Sequence, residues 1–222
     1  MRRAAFLALV LLAAEPGLAA PKTWATTITA ADRKRLARLW EAWTRALADT
    51  DAAGQAGALA ALGPAVVPDA STMNRDASDP MTPKPAGRLP GAGTYRCRMI
   101  TLGARADGMA PRVSGPAPQA LAMVGATPFT PCRIEARGDG LWFEQDVGPA
   151  QRLGGRLYPD GARLVFLGTT ALTGEMGVMA YGADPQRNAV GALRAVGDGR
   201  WRLELPWPNW QSNLGIVEIT SR

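Results

Sequence analysis

The feature that most constrains the fold is a series of short alternating segments in the second half of the chain, separated by glycine turns. The turns are GDG at 138–140, PDG at 159–161 and GDG at 197–199. Such turns join antiparallel neighbours, and an apolar–polar period of two indicates strands with one buried face. The segments are TYRCRMITL, FTPCRIEA, GLWFEQDV, AQRLGGRLY, ARLVFLG, AVGALRAVG, RWRLELPW and GIVEITS. They predict an antiparallel meander of about eight strands.

An open sheet of this size would leave two unpaired edges. Closure removes them, so we expect residues 94–222 to form a small up-and-down barrel of the lipocalin type, with a strongly twisted sandwich as the alternative. The stretch 103–126, rich in Gly, Ala and Pro, interrupts the series. We predict that this stretch forms a long loop with a further strand at 120–124.

A helical pattern precedes the strands. Thr29 and Asp32 resemble a capping box that begins a helix ending near residue 49, and the Ala-rich stretch that follows predicts a second, shorter helix. We therefore predict a helical hairpin over residues 21–67. Its first helix carries an apolar stripe, which we expect to pack as core. The apolar residues of this stripe are Leu36, Leu39, Trp40, Trp43 and Leu47.

Residues 68–93 contain five prolines, few large apolar side chains and no regular period. This composition predicts a linker or a long surface loop between the helical hairpin and the strands.

The first 20 residues have the three parts of a secretory signal peptide. Arg2 and Arg3 precede an apolar run over residues 4–14, and small residues follow. The run is shorter than the roughly 20 residues that a membrane-spanning helix needs. We expect cleavage after Ala19 or Ala20, which gives a periplasmic or secreted protein without a transmembrane anchor.

The two cysteines, Cys97 and Cys132, both lie in the predicted β domain. In an oxidising compartment they would form a disulfide, which for a loop of this length stabilises the fold by about 4 kcal/mol. Two buried free thiols are the alternative.

The charge pattern bears on partners. Without the leader, 23 basic and 18 acidic residues remain, and the arginines are scattered singly rather than in a block. We therefore expect no nucleic-acid partner. Anionic lipid or cell-wall polymer is the expected electrostatic partner of an exported protein, although net charge can also serve solubility alone.

The chain contains no histidine. This excludes Ser-His-Asp and Cys-His nucleophilic systems and histidine-containing zinc sites. The sequence also lacks a CxxC pair and the glycine-rich phosphate-binding motifs. We therefore assign no catalytic residue and expect no metal and no cofactor.

Carboxylates are the remaining chemical groups. Glu144 and Asp146 alternate along one predicted strand and would share a face, as an acid/base pair for glycosidic bonds requires. A solvated strand face carries the same pattern. Asp139, Asp160 and Asp198 lie beside glycine in turns, where local hydrogen bonding explains them.

Tryptophans provide the candidate binding surface. Trp207 and Trp210 flank a proline and an asparagine at the end of a strand, as in a stacking platform for sugars, peptides or lipid. The alternative is that both rings close one end of the barrel. Trp142 and Trp201 complete the candidate surface. With Phe143 and Phe166 they would line a cavity if the barrel is open.

Several segments together resemble a known family. They are LARLWEAW, TYRCRMITLG, PCRIEARGDGLWFE, GRLYPDGARLVFLG, MAYGADPQRNAVGALRAVGDGRWRLELPWP and GIVEI. The chain is similar over its whole predicted mature part to the domain of unknown function 4893 family, exported proteins of Gram-negative bacteria. The resemblance implies export and one shared architecture, and it supplies no catalytic residues. The stretch 105–127 is richer in Gly and Pro than the family pattern.

Three functions fit these observations. The first is a non-enzymatic binding module for a small hydrophobic ligand, a peptide or an envelope component, which an open cavity would favour. The second is a periplasmic protein-interaction or inhibitor protein, which a filled barrel and an exposed apolar helix face would favour. The third is a carboxylate-based hydrolase, which requires two acidic groups in one cleft.

Overall fold

The computed structural model describes residues 23–63, 73–74, 82–83, 87–103, 124–145, 151–208 and 212–221. The predicted signal peptide, most of the Pro-rich segment 68–93 and residues 104–123 lie outside these ranges. The division into signal peptide, helical hairpin, linker and β domain stays a prediction.

The fold is a closed antiparallel β-barrel of eight strands with short helices before it, which confirms the predicted mainly-β class. A two-residue pair, β1 with β2, stands apart, and β4 lies beside the end of β3. The barrel strands are β3 and β5 to β11. The strands are β1 (Met73–Asn74), β2 (Thr82–Pro83), β3 (Gly93–Leu102), β4 (Val124–Ala126), β5 (Thr130–Arg137), β6 (Gly140–Gln145), β7 (Gln151–Asp160), β8 (Arg163–Leu172), β9 (Asn188–Gly197), β10 (Arg200–Pro206) and β11 (Leu214–Thr220).

Pairing between the first and last barrel strands closes the sheet. β11 runs antiparallel to β3, from Leu214 opposite Leu102 to Thr220 opposite Arg96. The structure is therefore the barrel and not the sandwich. Of the strand expected at 120–124, only Val124 lies in the described residues, as the first residue of β4.

The three glycine turns define one end of the barrel, here called the closed end. They join β5 to β6, β7 to β8 and β9 to β10. Gly138, Gly161 and Gly199 have φ angles of 61°, 62° and 64°, in the left-handed region that glycine adopts without a Cβ clash. The other end, where β3, β6, β8 and β10 finish, is called the open end.

The interior of the barrel is packed along most of its length. A disulfide joins Cys97 and Cys132 and links β3 to β5. Phe143 and Phe166 meet edge to face with ring centroids 6.1 Å apart, and both are fully buried. A Cβ on Gly168 would overlap the Phe166 ring, so glycine at this position makes room for the aromatic core.

The helices are α1 (Trp24–Thr27), α2 (Ala30–Ala37), α3 (Leu39–Ala52) and α4 (Ala56–Ala61). The Thr29 hydroxyl caps α2 by accepting a hydrogen bond from the Asp32 amide. α2 and α3 pack on the outer face of β9, β10, β11 and β3, here called the helix-covered wall. Leu36, Leu39 and Trp43 of the predicted stripe are buried there, whereas Trp40 is 46% exposed.

The helix-covered wall contains buried ion pairs. Side chains alternate along β10, so Trp201 and Leu203 point into the barrel while Arg202 and Glu204 point outward beneath α3. Glu204 accepts hydrogen bonds from Arg202 at 2.7 Å and from Arg194 at 3.2 Å. The Arg202 guanidinium lies 4.8 Å from the centroid of the Trp43 ring, so the helix covers the charge network.

The outer face of β5, β6 and β7 is here called the solvent-facing wall. It carries similar ion pairs that are exposed to solvent. Glu135 bonds Arg133 and Arg137 at 2.7 Å each, and Glu144 lies within 3.6 Å of both arginines. The Glu135 side chain is 40% exposed. Hydrogen bonding from Arg137, assisted by both guanidinium charges, lowers the pKa of Glu135 below its usual value.

Candidate ligand pocket

A pocket occupies the open end of the barrel. Its cavity volume is about 50 Å³, and the space between its walls is about 630 Å³ when the solvent at the mouth is included. Its apolar walls come from the ends of five different strands, and the fully buried Phe143 and Phe166 lie deeper in the interior. The apolar wall residues are Met99, Leu153, Leu172, Ala189 and Leu205.

The pocket has a polar side, built where β6, β7 and β8 meet. Gln145 accepts a hydrogen bond from the backbone amide of Leu153 at 3.1 Å through its side-chain oxygen. Thr170 is the register partner of Leu153 on β8, and Arg152 precedes Leu153 on β7. Gln145, Thr170 and Arg152 all line the pocket. An apolar mouth with a few convergent polar groups is the usual character of a small-molecule site.

Two further arginines at the pocket are neutralised by carboxylates. Arg187 pairs with Glu175 and lies 3.5 Å from Asp184. Hydrogen bonding from Arg187 is the main cause that lowers the pKa of Glu175. Arg35 bonds Asp32 at 2.5 Å. The charges of these two arginines at the rim of the pocket are therefore compensated by carboxylates.

Asp32 centres a network that joins α2 to the β8–β9 connection. The carboxylate is almost fully buried and accepts hydrogen bonds from Tyr181 at 2.6 Å and from Asn188 at 3.0 Å. Burial alone would raise the pKa of Asp32, but the Tyr181 hydrogen bond and the Arg35 charge outweigh it and hold the pKa below its usual value. Burial, with the hydrogen bond to Asp32, raises the pKa of Tyr181 to about 12.

The candidate tryptophans do not form one surface. Trp201 points into the barrel near the closed end, where its indole N–H donates to the Arg88 carbonyl at 2.7 Å. Trp142 lies on the solvent-facing wall, bonded to Glu144 and 4.8 Å from Arg137. Of the four aromatic residues expected to line a cavity, Phe143, Phe166 and Trp201 pack in the core of the barrel. Trp142 lies outside the barrel.

Trp207 packs at the end of β10 against the core beneath the helices. Its ring lies 4.8 Å from the Arg38 guanidinium, and its carbonyl accepts from Arg35 at 3.1 Å. A φ of 41° strains this backbone, since residues with a Cβ rarely adopt it. Trp210 lies outside the described residues, so the proposed Trp207–Trp210 platform stays a prediction.

The candidate carboxylates have other partners. Glu144 accepts from Trp142 at 3.2 Å and neighbours Arg133, while Asp146 lies outside the described residues. Asp139 pairs with Arg156. Hydrogen bonding from Arg156 lowers the pKa of Asp139. In the described part of the chain no group of three or more Cys, Asp or Glu side chains could hold a metal ion.

Sequence reasoning missed the pocket residues Gln145, Arg152 and Thr170. Gln145 falls at an interior position of its strand, and a polar residue at such a position is the available signal. The two others gave no signal, because their neighbourhood depends on the register of the β7–β8 pairing.

Comparison with protein-family models gives a match over most of the chain. The family described as Domain of unknown function (DUF4893) matches residues 24–219. No curated protein and no solved structure matches the chain. Among the described helices none is long and apolar enough to cross a membrane. Because the match covers nearly all of the 222 residues, the chain belongs to the DUF4893 family.

Proposed function

We propose that the protein is an exported, non-enzymatic binding module that holds a small hydrophobic ligand at the open end of its barrel. The observation that carries the proposal is the pocket with apolar walls from five strands and polar groups on one side. The packed aromatic core deeper in the barrel limits the ligand to the mouth. The disulfide supports export, because such bonds persist in oxidising compartments.

Binding of a neutral fluorescent apolar probe, N-phenyl-1-naphthylamine, tests this proposal. We expect saturable fluorescence enhancement with the wild-type protein. Ala189 lines the pocket, so Ala189→Trp should fill it and abolish binding. Ala136 is exposed on β5, and Ala136→Trp is the matched control that should bind normally. No saturable binding, or equal binding by both variants, would overturn the proposal.

A second candidate function is binding to an envelope protein. It is supported by exposed apolar side chains outside the pocket, because Trp40 is 46% exposed and Met176 fully exposed. A photo-crosslinking residue at either position should give one discrete adduct in the periplasm. The same residue at position 136 is the control, and equal labelling from all three positions would reject this candidate.

A further inference from the structure

We infer that the pocket selects amphipathic carboxylates, with the acid head on the polar side and the alkyl tail against the apolar walls. This inference rests on the proposed binding function and adds the chemical class of the ligand. It follows from the donors that the polar side presents.

Gln145 is the buried member of this group, with only 8% of its surface exposed. Its side-chain oxygen is fixed by the Leu153 amide, because an N–H donor must meet an oxygen. The side-chain NH₂ group therefore faces away from that bond. Gln145 lines the pocket, and its NH₂ group is not one of the buried polar atoms that lack a partner among the described residues, so solvent reaches it there. A ligand head that accepts from this donor would take the place of water.

Arg152 supplies the charge. Its Nη2 donates to the backbone carbonyl of Glu175 at 2.5 Å, and no carboxylate forms an ion pair with it in the described part of the chain. The Glu175 carboxylate acts on Arg152 only through space and is bonded to Arg187 instead. Arg152 is therefore the lining arginine whose charge is not directly paired, unlike Arg35 and Arg187.

Thr170 adds a hydroxyl beside Leu153, on the interior face of β8. The polar side thus presents an amide, a hydroxyl and a guanidinium, and no carboxylate lines the pocket among the described residues. Such a set matches a ligand head that accepts hydrogen bonds and carries negative charge. A cationic head would meet Arg152 without a compensating acid. The apolar walls, from Met99, Ala189 and Leu205, suit an alkyl chain.

Three ligands with one eight-carbon tail test the inference: octanoate, octanol and octylammonium, each titrated calorimetrically into the exported, oxidised protein. We expect octanoate to bind more tightly than octanol and octylammonium not to bind. Arg152→Gln should weaken octanoate at least tenfold and leave octanol unchanged, since one charge-assisted hydrogen bond accounts for that ratio. Arg137→Gln, on the solvent-facing wall, is the matched control and should leave both affinities unchanged.

Gln145→Leu provides an independent variant if Arg152→Gln does not fold. It should also weaken octanoate while octanol binds as well or better. Equal binding of octanoate and octanol, with neither variant changing octanoate, would overturn the head-group inference and leave the proposed function standing. Failure of all three ligands and of the neutral probe would overturn both.

Discussion

The two walls of the barrel carry the same chemistry in opposite environments. On the helix-covered wall Glu204 lies between Arg194 and Arg202, with a side chain only 2% exposed. On the solvent-facing wall Glu135 lies between Arg133 and Arg137 and is 40% exposed. The closest nitrogen–oxygen distance is 2.7 Å in both clusters.

The difference shows that contact geometry does not by itself give the energy of an ion pair. Water screens the exposed cluster, and removal of one partner there leaves the others solvated. α3 excludes water from the buried cluster, so loss of the carboxylate leaves buried guanidinium charge without that counterion. Five variants test this comparison.

Glu204→Ala should have the largest effect. It leaves the Arg194 and Arg202 side chains buried without their shared carboxylate. We expect a loss of about 3–5 kcal/mol in the free energy of unfolding, measured by urea denaturation at pH 7. A loss below about 1 kcal/mol would mean that water reaches the cluster.

Replacing the whole buried cluster separates the cost of an unpaired charge from the value of the network. The triple variant Arg194→Met, Arg202→Met, Glu204→Leu should be clearly more stable than Glu204→Ala, because it removes all three of these buried charges together. If the triple variant were the less stable of the two, the ion pairs themselves would be the source of stability.

Asp32→Ala should cause the second largest loss of stability among the single substitutions. It removes the acceptor of the Tyr181 and Asn188 hydrogen bonds and the partner of Arg35. We expect a loss of about 3 kcal/mol at pH 7 by the same urea assay. In the wild type, Asp32 stabilises the fold fully above the ordinary carboxyl pKa of about 4. This stabilisation is lost as the pH falls through the lowered pKa of Asp32 in the folded state. A variant with wild-type stability would contradict the network.

Tyr181→Phe should have a smaller effect, about 1–2 kcal/mol at pH 7, because one hydrogen bond to a charged group is lost. The folded pKa of Tyr181 is about 12, above the unfolded value of about 10. The contribution of Tyr181 to the free energy of unfolding is therefore complete below pH 10 and falls between pH 10 and 12. Urea midpoints across this window should fall less steeply in the variant. Identical slopes would contradict the raised pKa.

Glu135→Ala should have the smallest effect. Its two arginine partners are already in water, so the urea midpoint should match that of the wild type. A loss comparable to that of Glu204→Ala would break the comparison between the walls.

Sequence patterns predicted the barrel well because its signals are local. Glycine turns and alternating side chains specify hairpins, and the hairpins leave closure as the way to remove edges. The same alternation places Arg202 and Glu204 outward on β10, where sequence alone would expect solvent. Their burial depends on where the helices pack, which no local pattern contains. Trp40 shows the converse, since it shares the helical stripe and is exposed.

The site was less predictable than the fold. Aromatic residues suggested a binding surface, but Trp142 and Trp201 lie on different faces of the wall. The pocket instead uses Gln145, Arg152 and Thr170 at the ends of three strands. Their neighbourhood depends on register, which is fixed by the pairing of whole strands.

The pairing of β3 with β11 also determines when the chain can fold. Thr220 meets Arg96 from 124 positions away, so the closing contacts can form only after synthesis has passed β11. Until β11 is available, β3 and β10 each present a free edge. Such long-range closure gives slow folding, because a large loop must be ordered before its contacts form. The closing strand thus acts as a timing element: the barrel stays incomplete, and open to edge-to-edge association, until β11 has been made.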